Sequence, residues 1–214
     1  GHFNAICPSH PQTLELLGEV IREVAELFPS PFFHAGLDEV DFRGCRRCAR
    51  RGRGRPAWWV YAEHVRAIHR AVTACGKRMI MWADHVERDP DMLAVLPKDI
   101  LLCHWQYTTV YPEKVRRSIE AGFEVVLGPS LLHYDDVIQP NAANLRNLDE
   151  MVRLAASLAG RGCLGVVNTW WVPWRIIRDA ALPAVAYTAE ALRRGRPLDK
   201  AAFMRRFARR HFSA

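Results

Sequence analysis

Two hydrophobic rhythms alternate along the chain. Leu14, Leu17, Ile21, Val24 and Phe28 fall on one face of a 3.6-residue repeat, which predicts a helix. Ser9 and Gln12 are spaced as a capping box ahead of it, with Pro11 in the first turn. Phe32 to Leu37 is a short apolar run after Pro29 and Pro31, as in a strand. Tyr61, Val65, Ile68, Val72 and Cys75 mark a second helix face, closed by Gly76. Strand-like runs follow at Met79–Trp82, Ile100–Trp105, Phe123–Leu127 and Cys163–Asn168. Helical spacing returns between them, at Val115–Ala121 and over Leu145, Leu148, Val152, Ala155 and Leu158. Two helices, near Ala180–Arg193 and Leu198–Phe212, close the chain.

Strands alternating with helices imply parallel βαβ units, and strands this apolar expect cover on both faces. The order fits a doubly wound sheet or a segment of a barrel. No G-x-G-x-x-G or P-loop supports a nucleotide-binding sheet. A barrel is favoured because chemistry-bearing residues recur at successive strand ends. These are Asp38-Glu39, Trp82 with Asp84, Trp105 with Tyr107, His133 to Asp136, and Trp170-Trp171. In (β/α)8 enzymes the residues at those ends converge on the active site.

Within His34-Ala35-Gly36-Leu37-Asp38-Glu39-Val40, strand alternation would put His34, Gly36 and Asp38 on one face and Leu37 on the other, toward the helices. Two adjacent carboxylates in a dry site repel if both ionise, and a carboxylic acid kept protonated near neutrality can serve as a general acid. The plainer reading is that Asp38 or Glu39 caps a helix or pairs with nearby arginines.

Composition narrows the rest. The chain has 214 residues, half of them hydrophobic and a quarter charged, ordinary for a globular domain. The net charge of +7 owes much to seven arginines between Arg43 and Arg55, a Gly/Arg run that reads as a solvated loop. No nucleic-acid motif, apolar span or signal peptide is visible. Cys103 and Cys163 read as buried thiols in strands. Cys45 and Cys48 form a lone C-x-x-C with no second pair to complete a metal site, so they read as a reduced or locally bridged loop pair.

The segment His34–Val40 resembles the H-x-G-G-D-E-V signature of glycoside hydrolase family 20, the β-N-acetylhexosaminidases, with Leu37 in place of the second glycine, as in hexosaminidase D-like members. Cys7-Pro8-Ser9 with Pro11, Met81-Trp82-Ala83-Asp84, His104-Trp105-Gln106-Tyr107, and Thr169-Trp170-Trp171 with Pro173-Trp174 are similar to the same group, in the same order. The resemblance implies retaining, substrate-assisted hydrolysis of terminal β-linked N-acetylglucosamine or N-acetylgalactosamine in a glycan or glycoconjugate. It implies Glu39 as the acid and then base. Asp38 would orient the acetamido N–H. His34, Trp82, Asp84, Trp105, Tyr134, Asp136 and Trp171 would be substrate-binding. No cofactor, metal, nucleic acid or membrane is implied.

In that family the Asp-Glu pair ends the fourth barrel strand. The expected fold is therefore α/β, a partial (β/α)8 TIM barrel of about strands four to eight with their helices. Residues 1–214 would form a catalytic domain lacking its N-terminal strands and a sugar-binding arginine. The full-length chain or a partner would supply those strands, and such a chain alone would be unstable and nearly inactive. A non-catalytic, carbohydrate-binding remnant and a barrel glycosidase with two protein carboxylates are the alternatives.

Overall fold

The structure is a computed structural model that describes residues 5–42, 44–132, 141–171 and 178–212. The chain forms two compact units. The first holds residues up to Cys103 plus Glu120–Glu124, and the second holds His104–Ile119 and the residues from Val125 on.

In the first unit α1 (Thr13–Leu27) buries Ile21 and Ala25 against α3, leaving Leu14, Leu16 and Val20 exposed. The expected Ser9–Gln12 box does not form. Gln12 is the N-cap but makes no side-chain cap. Its N–H is instead taken by His10 Nδ1 at 3.3 Å, and Thr13 Oγ1 donates to the Cys7 carbonyl at 2.7 Å. Strand β1 is only Phe32–His34, shorter than the apolar run. A helix, α2 (Arg46–Arg51), forms inside the arginine run where a loop is expected. There Ala49 N–H closes onto the Cys45 carbonyl at 2.9 Å and Cys48 is buried. The guanidinium groups of Arg51 and Arg55 lie 5.9 and 5.3 Å from the Trp59 ring. α3 (Trp59–Ala74) buries Tyr61, Val65, Ile68 and Val72, the face its periodicity predicts. β2 (Arg78–Trp82) buries Met79 and Met81, and leads into a short helix, α4 (Asp84–Arg88), not anticipated from the sequence. β3 (Leu101–Trp105) follows a 3₁₀ turn. The strands run parallel in the order β1-β2-β3, with His34 opposite Ile80 and Ile80 opposite Leu101.

The second unit carries α5 (Pro112–Glu120) and β4 (Val125–Gly128), a strand buried on both faces. A short β5 (Ser130–Leu132) follows. α6 (Ala142–Leu158) starts with a capping box between Asn141 and Asn144. β6 (Cys163–Val166) pairs in parallel with β4. β7 (Thr169–Trp170) pairs in parallel with β5, a two-stranded piece too short to show as a period. α7 (Leu182–Arg193) and α8 (Lys200–Phe212) close the unit. Leu145, Leu148, Val152, Ala184, Tyr187, Phe203 and Phe207 form its core. Asp149, buried there, accepts from the Tyr187 hydroxyl and pairs with Lys200.

Parallel strands joined through helices give the α/β class and the partial (β/α)8 barrel expected from the sequence. Cys103 and Cys163 are buried free thiols, also as expected.

Candidate active site

Strand β1 stops at His34 because the next residues turn left-handed. Ala35 still donates to the Ile80 carbonyl at 2.8 Å. Then Gly36, Leu37 and Glu39 take φ values of 71°, 71° and 50°. Glycine adopts this conformation at no steric cost, whereas an L-residue pays roughly 1–2 kcal/mol. The alternation expected to carry Leu37 toward the helices therefore ends before it reaches Leu37. The backbone at Leu37 has the geometry that the second glycine of the motif would accept freely.

Side chains from two other elements grip this turn. Tyr61 on α3 donates its hydroxyl to the Leu37 carbonyl at 2.7 Å. Asp84, at the start of α4, accepts the Glu39 N–H on Oδ2 at 3.0 Å. His85 accepts the Val40 N–H on Nε2 at 3.1 Å. The Trp82 N–H donates to the Gly36 carbonyl at 3.1 Å, so β2 holds the turn from below. The Asp38 and Glu39 side chains are left exposed, not enclosed in a dry pocket.

The electrostatics match these roles. Burial, followed by the Arg88 charge, lowers the His85 pKa to about 4, against the pull of Asp89 and Asp38. The ring is thus neutral near pH 7 and free to accept. Burial, then the Asp84 and Asp38 charges, hold the Tyr61 hydroxyl well above its usual pKa, keeping it a donor. The Tyr61 and His85 rings stack with centroids 4.0 Å apart. His34 packs on Trp82 at 4.4 Å. Desolvation lowers its pKa and Asp38 opposes that.

In the second unit, Trp105 lies 5.2 Å from Tyr107 between ring centroids. Trp171 donates its indole N–H to the Tyr107 hydroxyl at 2.7 Å. The Trp105 Nε1 is buried without a hydrogen-bond partner among the described residues. A buried network backs this aromatic group. Asn147 on α6 donates to the Gln106 carbonyl at 2.6 Å and accepts the Ser130 N–H at 3.2 Å, and Gln106 Oε1 accepts the Tyr111 N–H at 2.7 Å. Tyr134 and Asp136 lie outside the described residues.

The turn geometry and the motif it carries meet a family match over residues 2–159, about three quarters of the chain, to the glycosyl hydrolase family 20 catalytic domain. The chain belongs to glycosyl hydrolase family 20. It is 27% identical over 152 residues to a beta-hexosaminidase of Vibrio furnissii, covering 68% of this chain and 23% of that protein. It is 28% identical over 134 residues to the beta-hexosaminidase subunit beta of Felis catus, covering 59% and 24%. The chain thus spans about a quarter of the length of these curated relatives. The fold is shared with a chitobiase of Flavobacterium johnsoniae, at TM-score 0.63 and 17% identity over 94% of this chain and 32% of that one.

Within the family frame, the structure brings His34, Asp38, Glu39, Trp82 and Asp84 together in the first unit, and Trp105 and Trp171 in the second. Sequence reading did not single out Tyr61 and His85 as site residues. The former was read as core on a helix face, and the latter directly follows Asp84 in a helix too short to register. The expectation that Cys45 and Cys48 lack a further ligand is corrected by Cys7. Its Sγ lies 3.4 Å from Cys45 Sγ and 3.6 Å from Cys48 Sγ. The three sulfurs could hold one metal ion. The signal was the recurrence of a cysteine ahead of α1, which no local spacing rule joins to a C-x-x-C 38 positions on.

Proposed function

We propose that the protein of which this chain is part hydrolyses terminal β-linked N-acetylhexosaminides with retention, the substrate's acetamido oxygen serving as nucleophile. Glu39 protonates the leaving oxygen and then activates water. Asp38 orients the acetamido N–H and stabilises the charge that develops at the sugar. The observation that carries this reading is the left-handed turn at Leu37–Glu39, whose backbone is fixed at 2.7–3.1 Å by Tyr61, Asp84 and His85 while both carboxylates stay exposed. A strained backbone held from several sides is how a site presents a pair of groups in one geometry. Asp84 acts through the backbone of Glu39 as well as in the sugar-binding role the resemblance gives it. His34 and Trp82, with Trp105 and Trp171, take the sugar-facing roles, and Tyr134 and Asp136 those of polar partners. Residues 1–214 serve as part of the catalytic barrel.

The test is turnover of aryl and alkyl N-acetyl-β-glucosaminides by the protein and by Glu39→Gln. Loss of a general acid should lower kcat by roughly 10²–10⁴ for poor leaving groups and much less for activated aryl groups. Equal losses on both would remove Glu39 from that role. Asp38→Asn should lower kcat for both substrates. Binding of N-acetylglucosamine without any turnover by the wild-type protein would favour a carbohydrate-binding remnant.

A further inference from the structure

The three sulfurs of Cys7, Cys45 and Cys48 stand apart from the sugar chemistry and have the geometry of a metal-ligand set. All lie within 4.8 Å of one another, with Cys7 at 3.4 and 3.6 Å from the other two. A tetrahedral zinc ion with bonds of about 2.3 Å spaces its thiolates by roughly 3.8 Å. A disulfide needs about 2.05 Å and would join two sulfurs and strand the third.

The surroundings are built for the set. Cys7 sits in a turn braced from two sides. Thr13 Oγ1 donates to its carbonyl at 2.7 Å, and Arg51 Nη1 reaches the next carbonyl, Pro8, at 3.1 Å. Cys45 is the N-cap residue of α2, which places its sulfur one turn from Cys48. Cys48 is buried, so its thiolate would be costly there without a partner cation. A bound cation reverses that cost, because a coordinating thiol gives up its proton. Ser9 Oγ is shielded from solvent and has no hydrogen-bond partner among the described residues. Cys7 and Cys45 are partly exposed.

We propose that Cys7, Cys45 and Cys48 form a structural zinc site that clips the segment ahead of α1 to the first turn of α2. Three thiolates favour a soft or borderline ion such as zinc over magnesium or calcium. The site closes a loop of 38 positions that contains α1, β1 and the Asp38–Glu39 turn. Its role is to fix the chain on the far side of that turn, and it takes no part in the reaction. Binding releases the thiol protons to solvent, with no change of oxidation state.

The experiment is metal analysis of the protein purified without a histidine tag, under reductant, from zinc-supplemented medium. About one zinc per chain is expected. Cys75→Ser should keep it, whereas Cys7→Ser and Cys48→Ser should lose most of it, with a fall in melting temperature on the order of 5–10 °C. Alkylation mapping on the wild-type protein covers the case in which those variants fail to fold. N-ethylmaleimide should label Cys75 in the zinc-loaded protein, and Cys7, Cys45 and Cys48 only after chelation. Absence of stoichiometric metal would overturn the proposal. So would a Cys7–Cys45 disulfide in the wild-type protein, or labelling of all three cysteines before chelation. Each readout is independent of glycosidase activity.

Discussion

Leu37 concentrates the physics of the site into one residue. Its φ of 71° is disfavoured for any L-residue and more so for a β-branched one. It is held there because its carbonyl is fixed by Tyr61 and its neighbours by Asp84 and His85. Leu37→Gly removes the left-handed cost while giving up a half-buried side chain and some unfolded-state restriction, so its stability should stay within about 1 kcal/mol of wild type. Leu37→Val keeps the cost and adds crowding at Cβ, so it should be less stable than the glycine variant by on the order of 1–2 kcal/mol. Urea denaturation of both variants checks this. A valine variant as stable as the glycine one would mean the turn is not strained. The motif that carried the functional reading was legible in Gly36, Asp38 and Glu39. The conformation was not, because periodicity describes regular strands and the chain leaves the strand at His34. Tyr61 and His85, and the backbone contact made by Asp84, were hidden for the same reason. Their partners are backbone groups more than 20 positions away, and sequence spacing carries no record of such contacts.

Helices and strands long enough to show a period were legible. α1, α3, α6 and the buried strands β2, β3 and β4 fall where their apolar positions predict. The two shortest helices and strands β5 and β7 were not. α2 is masked by its arginines, α4 is one turn and a half, and β5 and β7 pair over two or three residues. What holds such short pieces is polar anchoring more than period. Asn147 shows this at the ends of β3 and β5. It satisfies the buried Gln106 carbonyl at 2.6 Å and the buried Ser130 N–H at 3.2 Å from the first half of α6. Asn147→Ala should leave both backbone groups without that partner, at roughly 1–3 kcal/mol each. The expected result is a loss of about 2–6 kcal/mol in urea midpoint analysis. A loss below 1 kcal/mol would show that water or a neighbour replaces the amide. Tyr187→Phe in the core of the same unit is a comparison at one hydroxyl, which also accepts the Leu198 N–H at 3.2 Å. It removes one donor from the buried Asp149 while Lys200 remains, and should cost about 1–3 kcal/mol.

At the scale of the whole molecule, the sign of charge says less than where single charges are neutralised. Within the basic run behind the net charge of +7, Arg51 and Arg55 pack on Trp59 and Arg51 also holds the Pro8 carbonyl. No helix among the described residues is long and apolar enough to cross a membrane. The global response to acid, in contrast, has an identifiable contributor in His85. Its folded pKa of about 4 lies below the usual 6.5 because burial and Arg88 disfavour the cation. The unfolded chain therefore binds a proton between those values while the folded one does not, and stability falls as pH drops through that window. The contribution is complete above about pH 6.5 and gone below about pH 4. Allowing for solvent screening of the ring, it amounts to no more than about 2 kcal/mol. His85→Gln keeps an acceptor for the Val40 N–H and cannot titrate. Urea unfolding at pH 7.5 and pH 4.5 should then show the wild-type protein losing more stability on acidification than the variant, by on the order of 1–2 kcal/mol. The carboxylates that titrate in both proteins cancel in that difference. Equal losses would mean that His85 is not held neutral by its surroundings.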